Sequence, residues 1–322
     1  MILLIAEEKD QSMNKVIDWL YYLNKKFIRI NENSTNKLIE FCLNNSEQYF
    51  IFENSENGII DTRNLTSCWI RRGSFLFEPL DYKDYFYDNI VLSQHVFNYL
   101  ISENSFLHSH LITFLETNIQ FTLGNFNYNI NKLDVLQNAK KVGLKIPDTD
   151  IITQKKDITK IKQKKCITKG IQNSIEISTN NESITSFTEF VDVKKIVNSE
   201  NNFFPTLFQN NIQKKFEIRV FYLNGKCFSM AIFSQNDNQT MIDFRKYNWE
   251  NPNRNVLYKL PLDIEIKIEL LMQNLGLNTG SIDLIYSKNN EYIFLEVNPV
   301  GQFGFLSLMT NQNLFYEIAE IL

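Results

Sequence analysis

SIDLIYSKNNEYIFLEVNPVGQFG, residues 281–304, reads as two apolar runs joined by a polar turn, and three of its side chains are foreign to a buried strand. They are Asp283 in the first run and Glu296 and Asn298 in the second. Successive residues of a strand face opposite ways, so Glu296 and Asn298, two apart, share a face. With Lys288–Glu291 as a four-residue turn, Ser287 pairs with Tyr292 and Asp283 lies opposite Glu296. Carboxylates that are cross-strand neighbours, about 5 Å apart at Cβ, repel unless something positive lies between them. Mg²⁺ suits the set, because it takes carboxylate and amide oxygens and shares them with substrate phosphates. A polar strand face in water accounts for the same residues, and another turn length removes the opposition.

Working upstream, DIEIKIELLMQNLGL (263–277) predicts an amphipathic helix that Gly276 stops. Before it, two apolar runs flank Asn224-Gly225, a strong hairpin signal, and predict antiparallel strands over Phe216–Leu223 and Lys226–Ser234. In QKKFEIRVF (213–221), Lys215, Glu217 and Arg219 alternate onto the face opposite Phe216, Ile218 and Val220. A half-solvated sheet explains that alternation as well. MIDFRKYN (241–248) repeats it with Asp243, Arg245 and Tyr247. Lys132 at a helix start and Lys169 at a strand end complete a set of cations suited to polyphosphate oxygens.

A middle segment opens near Phe121. NKLDVLQNAKKVGLKIPDT (131–149) predicts a helix with Leu133, Leu136 and Ala139 or Val142 on one face, capped by Gly143 and barred from resuming by Pro147. A strand in KCITKG (165–170) follows, then a polar stretch near 179–200 that reads as a peripheral helix and loops. The chain starts with a strand at Ile2–Ala6, a helix carrying Met13, Val16, Ile17, Leu20 and Leu23, strands in FIRIN, YFIFEN and CWIRRGSF, and a long helix over about 81–117. This is an α/β opening without the G-x-G-x-x-G of a dinucleotide site.

The 322 residues, 43% hydrophobic and 22% charged, allow two or three packed domains. A formal charge of -4 speaks against a general nucleic-acid surface. The apolar start MILLIA is too short for a signal peptide or a bilayer span, so a cytoplasmic protein with no membrane partner is expected. Cys42, Cys68, Cys166 and Cys227 are scattered, with no C-x-x-C, and read as free thiols. The histidines of HSH (108–110) are two apart on a helix and point away from each other. No Ser or Cys has a nearby His, which leaves nucleophile-and-imidazole hydrolysis unsupported.

In order, NK…GLKIP, ITKG, LFQ…I…KKFEIRVF, DFRKYN, SIDLI and FLEVNP resemble the ATP-grasp ligases over about residues 121–322. Neither a Walker A loop nor a kinase signature competes. Within that superfamily, CWIRRG (68–73) and FLEVNPVGQFGFLS (294–307) resemble the graspetide synthetases, the microviridin-type peptide macrocyclases, and most of all their grasp-with-spasm branch. The resemblance implies an α/β ATP-grasp fold with a pre-ATP-grasp domain over 1–118, a central subdomain over 119–203 and a C-terminal subdomain over 204–322.

The resemblance also implies roles. Lys132 and Lys169 contact ATP phosphates, the hinge from Gln209 to Ile212 flanks adenine, and Lys215 and Glu217 belong to the same nucleotide site. Arg219 holds the γ-phosphate or acyl-phosphate, Arg245 stabilises charge at the reacting carboxyl, and Asp243 stands near the peptide. Asp283, Glu296 and Asn298 hold Mg²⁺. KGIQNSIEIST (169–179), in the position of a phosphate lid, has one glycine where the family loop has several. One of Arg71 and Arg72 guides acidic side chains of the substrate, the pair reading otherwise as two surface arginines. The implied substrate is a ribosomal precursor peptide with leader and core. A RimK-like ligase that adds an amino acid to a protein or peptide is the alternative, and dimerisation is common among related enzymes.

Overall fold

The computed structural model describes residues 1–73, 75, 77, 90–126, 129–158, 165–172, 176–179, 183–192, 200–235 and 248–322. The chain forms two compact units, Met1–Tyr128 with Asn313–Leu322, and Asn129–Gln312. The last ten residues, read from the sequence as the end of a C-terminal subdomain, thus belong to the first unit.

In the first unit, β1 (Ile2–Ala6) leads into α1 (Gln11–Tyr22) and β2 (Phe27–Asn31). An antiparallel meander follows, β3 (Asn36–Leu43), β4 (Gln48–Asn54) and β5 (Gly58–Asp61). Then come β6 (Ser67–Ile70), α2 (Ile90–Thr117) and β7 (Phe121–Leu123). The parallel sheet is ordered β2-β1-β6-β7, and β1 is buried along its whole length. Uniformly apolar ILLIA fits a strand covered on both faces. Met13, Val16 and Leu20 of α1 are buried, and Asp10 caps that helix by accepting from Met13 N–H at 2.8 Å.

In the second unit, α3 (Lys132–Lys141) precedes β8 (Thr149–Gln154), β9 (Cys166–Lys169), β10 (Glu176–Ser178), β11 (Ser183–Thr185), β12 (Glu189–Phe190) and β13 (Asn202–Asn210). Where a helix and loops were expected after residue 179, the described residues form short strands. An antiparallel sheet is ordered β12-β9-β13-β8, beside the hairpin β10-β11.

β14 (Lys214–Leu223), β15 (Lys226–Phe233), β16 (Arg254–Tyr258), β17 (Thr279–Ser287) and β18 (Tyr292–Asn298) form a second antiparallel sheet, ordered β16-β15-β14-β17-β18. At the β14–β15 turn Asn224 and Gly225 both have positive φ, 43° and 90°, the geometry of a type I′ hairpin. Ile218, Val220, Ile282, Leu284 and Phe294 pack one face of this sheet against Leu136 and Ala139 of α3 and Ile264, Ile268 and Leu271 of α4 (Leu262–Asn274). The other face carries the polar residues of the site.

α5 (Gly304–Thr310) follows β18, and α6 (Leu314–Ile321) returns to pack on α1. Among the described residues, no helix is long and apolar enough to cross a membrane. Burial pushes the Cys68 thiol up, and that of Cys227 up to about 12, so neither is a ready thiolate nucleophile. His108 contacts the carbonyl of Phe75 while His110 Nε2 lies 2.7 Å from Gln48 Nε2, so the two imidazoles serve different neighbours.

Candidate active site

β14, β17 and β18 align three charged residues across the sheet. Arg219 is the ladder partner of Asp283, and Asp283 of Glu296. Arg219 Nη1 donates to both Asp283 oxygens, at 2.7 and 2.8 Å. Lys132, the first residue of α3, donates to Glu296 Oε2 at 3.0 Å. The row thus reads cation, carboxylate, carboxylate, cation. The two like charges stand side by side with an opposite charge on the outer flank of each.

The opposition of Asp283 and Glu296 arises differently from the sequence argument. The last ladder pair before the turn is Tyr286 with Tyr292, not Ser287 with Tyr292. That register alone would miss Glu296 by one. A β-bulge restores it: Leu284 pairs with Phe294 and Asp283 with Glu296, so Leu295 is the extra residue.

A second bulge corrects the lysine. Lys214 pairs with Ser287 and Phe216 with Tyr286, which makes Lys215 the inserted residue of β14. Lys215 is exposed, donates to Asn290 Oδ1 at 2.5 Å and lies over the Tyr286 ring. Lys214 takes the cleft position instead, 7% exposed, its Nζ 2.5 Å from Glu217 Oε1. Strict alternation picks the wrong lysine because a bulge resets the period. Burial pushes the Glu217 carboxyl up, while Lys214 and a hydrogen bond from Ser234 pull it down.

These residues line a cleft between the two antiparallel sheets of the second unit. Lys132, Lys169, Lys214, Glu217, Asp283 and Glu296 supply its charges, and Pro147, Ile167, Phe187, Ile212, Ile232, Ile285 and Leu295 form apolar walls. Gln209, Asn210, Asn211 and Ile212 join the sheets along its edge. Gln209 is buried, donating to Thr149 Oγ1 at 3.0 Å. Asn210 keeps a buried Oδ1 with no hydrogen-bond partner, an arrangement that costs about 1–3 kcal/mol until a donor arrives. Gln172, not anticipated from the sequence, accepts from Lys132 N–H at 3.1 Å and donates to Ile130 O at 2.7 Å, tying the loop after β9 to the start of α3.

Asn298 shares the carboxylates' sheet face but is exposed, its Oδ1 accepting from Val300 N–H at 3.1 Å. Among the described residues no three His, Cys, Asp or Glu side chains cluster for a metal. Mg²⁺ does not demand such a cage, since one or two carboxylates with phosphate and water suffice. The donor set of Asp283, Glu296 and Asn298 fits that ion.

Gly301 lets the loop after β18 cross Ser281, the ladder partner of Asn298. A Cβ there would stand 2.6 Å or less from the N, Cβ and Oγ of Ser281. Gly301→Ala is therefore expected to lower stability by about 1–3 kcal/mol, checked by thermal melting. Unchanged melting would show that this crossing is not a tight contact.

In the first unit, Arg71 is buried and its Nε donates to Asp10 Oδ2 at 2.8 Å, so it orders the start of α1 rather than meeting solvent. Arg72 lies past the end of β6, partly exposed, 3.7 Å from Glu7. The reading as two surface arginines fails for Arg71. Asp243, Arg245 and Tyr247 lie outside the described residues.

No protein-family model matches the sequence, and none of the curated proteins does. Solved structures match over the whole chain, and the fold they define is the ATP-grasp fold. A RiPP-associated ATP-grasp ligase of Chryseobacterium gregarium, in complex with ADP and a leader and core peptide, matches with a TM-score of 0.75 at 24% identity, covering 100% of this chain and 96% of that one. The macrocyclase MdnC of Microcystis aeruginosa, bound with precursor peptide MdnA, matches with 0.71 at 23% identity, over 100% and 98% of the two chains. A RimK domain ATP-grasp protein of Sphaerobacter thermophilus reaches 0.51 at 10% identity, over 100% and 98%.

Proposed function

We propose that the protein is an ATP-dependent peptide macrocyclase of the cytoplasm. Its substrate is a ribosomal precursor peptide with leader and core, whose Asp or Glu side chains it joins to Ser or Thr hydroxyls or Lys amines as ω-ester or ω-amide rings. The observation that carries this reading is the charged row from Arg219 to Lys132 set beside an apolar slot. Such a slot with a few convergent polar groups suits a nucleoside triphosphate. The apolar walls take the base, and Asn210 Oδ1 suits an exocyclic amine. Lys132, Lys169 and Lys214 face the phosphates, and Gln209 to Ile212 form the hinge. Asp283, Glu296 and Asn298 would hold Mg²⁺, which supplies positive charge to the triphosphate.

The peptide carboxylate attacks the γ-phosphorus and ADP leaves, giving an acyl-phosphate. A hydroxyl or amine of the same peptide then attacks the acyl carbon, loses its proton and expels phosphate. No enzyme nucleophile takes part. Catalysis rests on positioning and on neutralising phosphate charge, where one well-aimed donor contributes about 3 kcal/mol. Arg219 is assigned to the transferred phosphoryl group, and the sequence resemblance gives Arg245 a role at the reacting carboxyl and Asp243 one in binding the peptide. Arg72 is the residue of its pair for a substrate carboxylate, since Arg71 is committed to Asp10.

Incubation with a small peptide encoded beside the gene, ATP and Mg²⁺ tests the proposal by mass. The expected product has lost one water per ring. A peptide carrying an added amino acid would replace the macrocyclase with the RimK-like ligase.

A further inference from the structure

Ser234 has no part in the roles above, yet its hydroxyl is fully buried and donates to Glu217 Oε2 at 2.6 Å. The other oxygen of that carboxylate accepts from Lys214 Nζ. Gln235 Nε2 in turn donates to Ser234 Oγ at 3.2 Å, occupying the acceptor side of the hydroxyl and directing its proton toward Glu217. Lys214 and Glu217 line the cleft, whereas Ser234 stands behind them, just beyond β15.

A lysine ammonium on a flexible stem is poorly aimed by itself. A carboxylate bonded through both oxygens cannot turn without breaking a charge-assisted hydrogen bond. The series Gln235, Ser234, Glu217, Lys214, buried from Ser234 onward, therefore transmits order from the end of β15 to an ammonium in the cleft.

We propose that Ser234 is a positioning residue for nucleotide binding, fixing through Glu217 the place of Lys214 Nζ. The inference rests on reading the cleft as the ATP site. A double-mutant cycle separates it from a merely structural role. Affinity for ADP with Mg²⁺ is measured by calorimetry on the wild type, Ser234→Ala, Lys214→Met and the double variant, with thermal melting alongside.

Ser234→Ala is expected to weaken binding about tenfold, and to add almost nothing once Lys214 is Met. Equal weakening in both backgrounds, or none in either, would overturn the inference while leaving the cleft assignment standing. Ser234→Cys, similar in size with a poor donor, serves where the alanine variant does not fold, with the same expected pattern. A folded wild type that does not bind ADP would overturn the cleft assignment, and this inference with it.

Discussion

Glu296→Gln combined with Asn298→Ala is expected to abolish ATP turnover and leave the fold largely intact. Glu296 is the outer carboxylate of the charged row and is partly exposed, so the change removes ligand charge without opening the core. Loss of the charge stabilisation it organises should lower the rate by about 10²–10³-fold. The single variant Glu296→Gln adds a result of opposite sign. Lys132 Nζ lies 3.0 Å from the Glu296 carboxylate, and neutralising that partner releases the ammonium for phosphate. ATP binding measured without Mg²⁺ should therefore tighten, while the gain from adding Mg²⁺ shrinks. Full turnover in the double variant, with ADP release as the readout, would sink the metal assignment. Unchanged metal-free affinity in Glu296→Gln would sink the exchange of partners.

Arg219→Lys is expected to lower turnover about 10²-fold with a smaller loss of nucleotide affinity. One nitrogen of Arg219, Nη1, reaches both oxygens of Asp283. A planar guanidinium can keep that contact while offering other N–H groups to a phosphate oxygen, and a lysine ammonium cannot hold both directions from one strand position. Steady-state kinetics and binding together decide the matter. A loss confined to affinity would assign Arg219 to nucleotide capture, not to the chemical step.

Much of this protein is legible in its residues alone. Asn224-Gly225 names its hairpin because both positions must tolerate positive φ, as they do at 43° and 90°. Gly276 ends α4 with φ 65° for the same local reason. Asp283, Glu296, Glu217 and Arg219 stand out because charged residues interrupt strands that are otherwise apolar. What escaped was assigned by partners distant in sequence. Ser234 reads as an ordinary strand-end residue until Glu217 arrives on the neighbouring strand. Arg71 looks exposed at a strand end until Asp10, 61 residues away, takes its guanidinium.

The amino-acid sequence by itself determined the hairpin at Asn224-Gly225, the helices α1, α3 and α4, the ATP-grasp likeness and the residue types of the cleft, because these follow from local propensity, apolar period and motif order. Tertiary structure alone decided which of those residues meet. Two bulges made the difference: Leu295 brings Glu296 opposite Asp283, and Lys215 turns Lys214 into the cleft. Period-two reading assumes an unbroken ladder, whereas a bulge is placed by packing and hydrogen bonding against a partner strand. The stretch 281–304 therefore holds the site's carboxylates in its sequence, and their alignment only in its pairing with β14 and within its own hairpin.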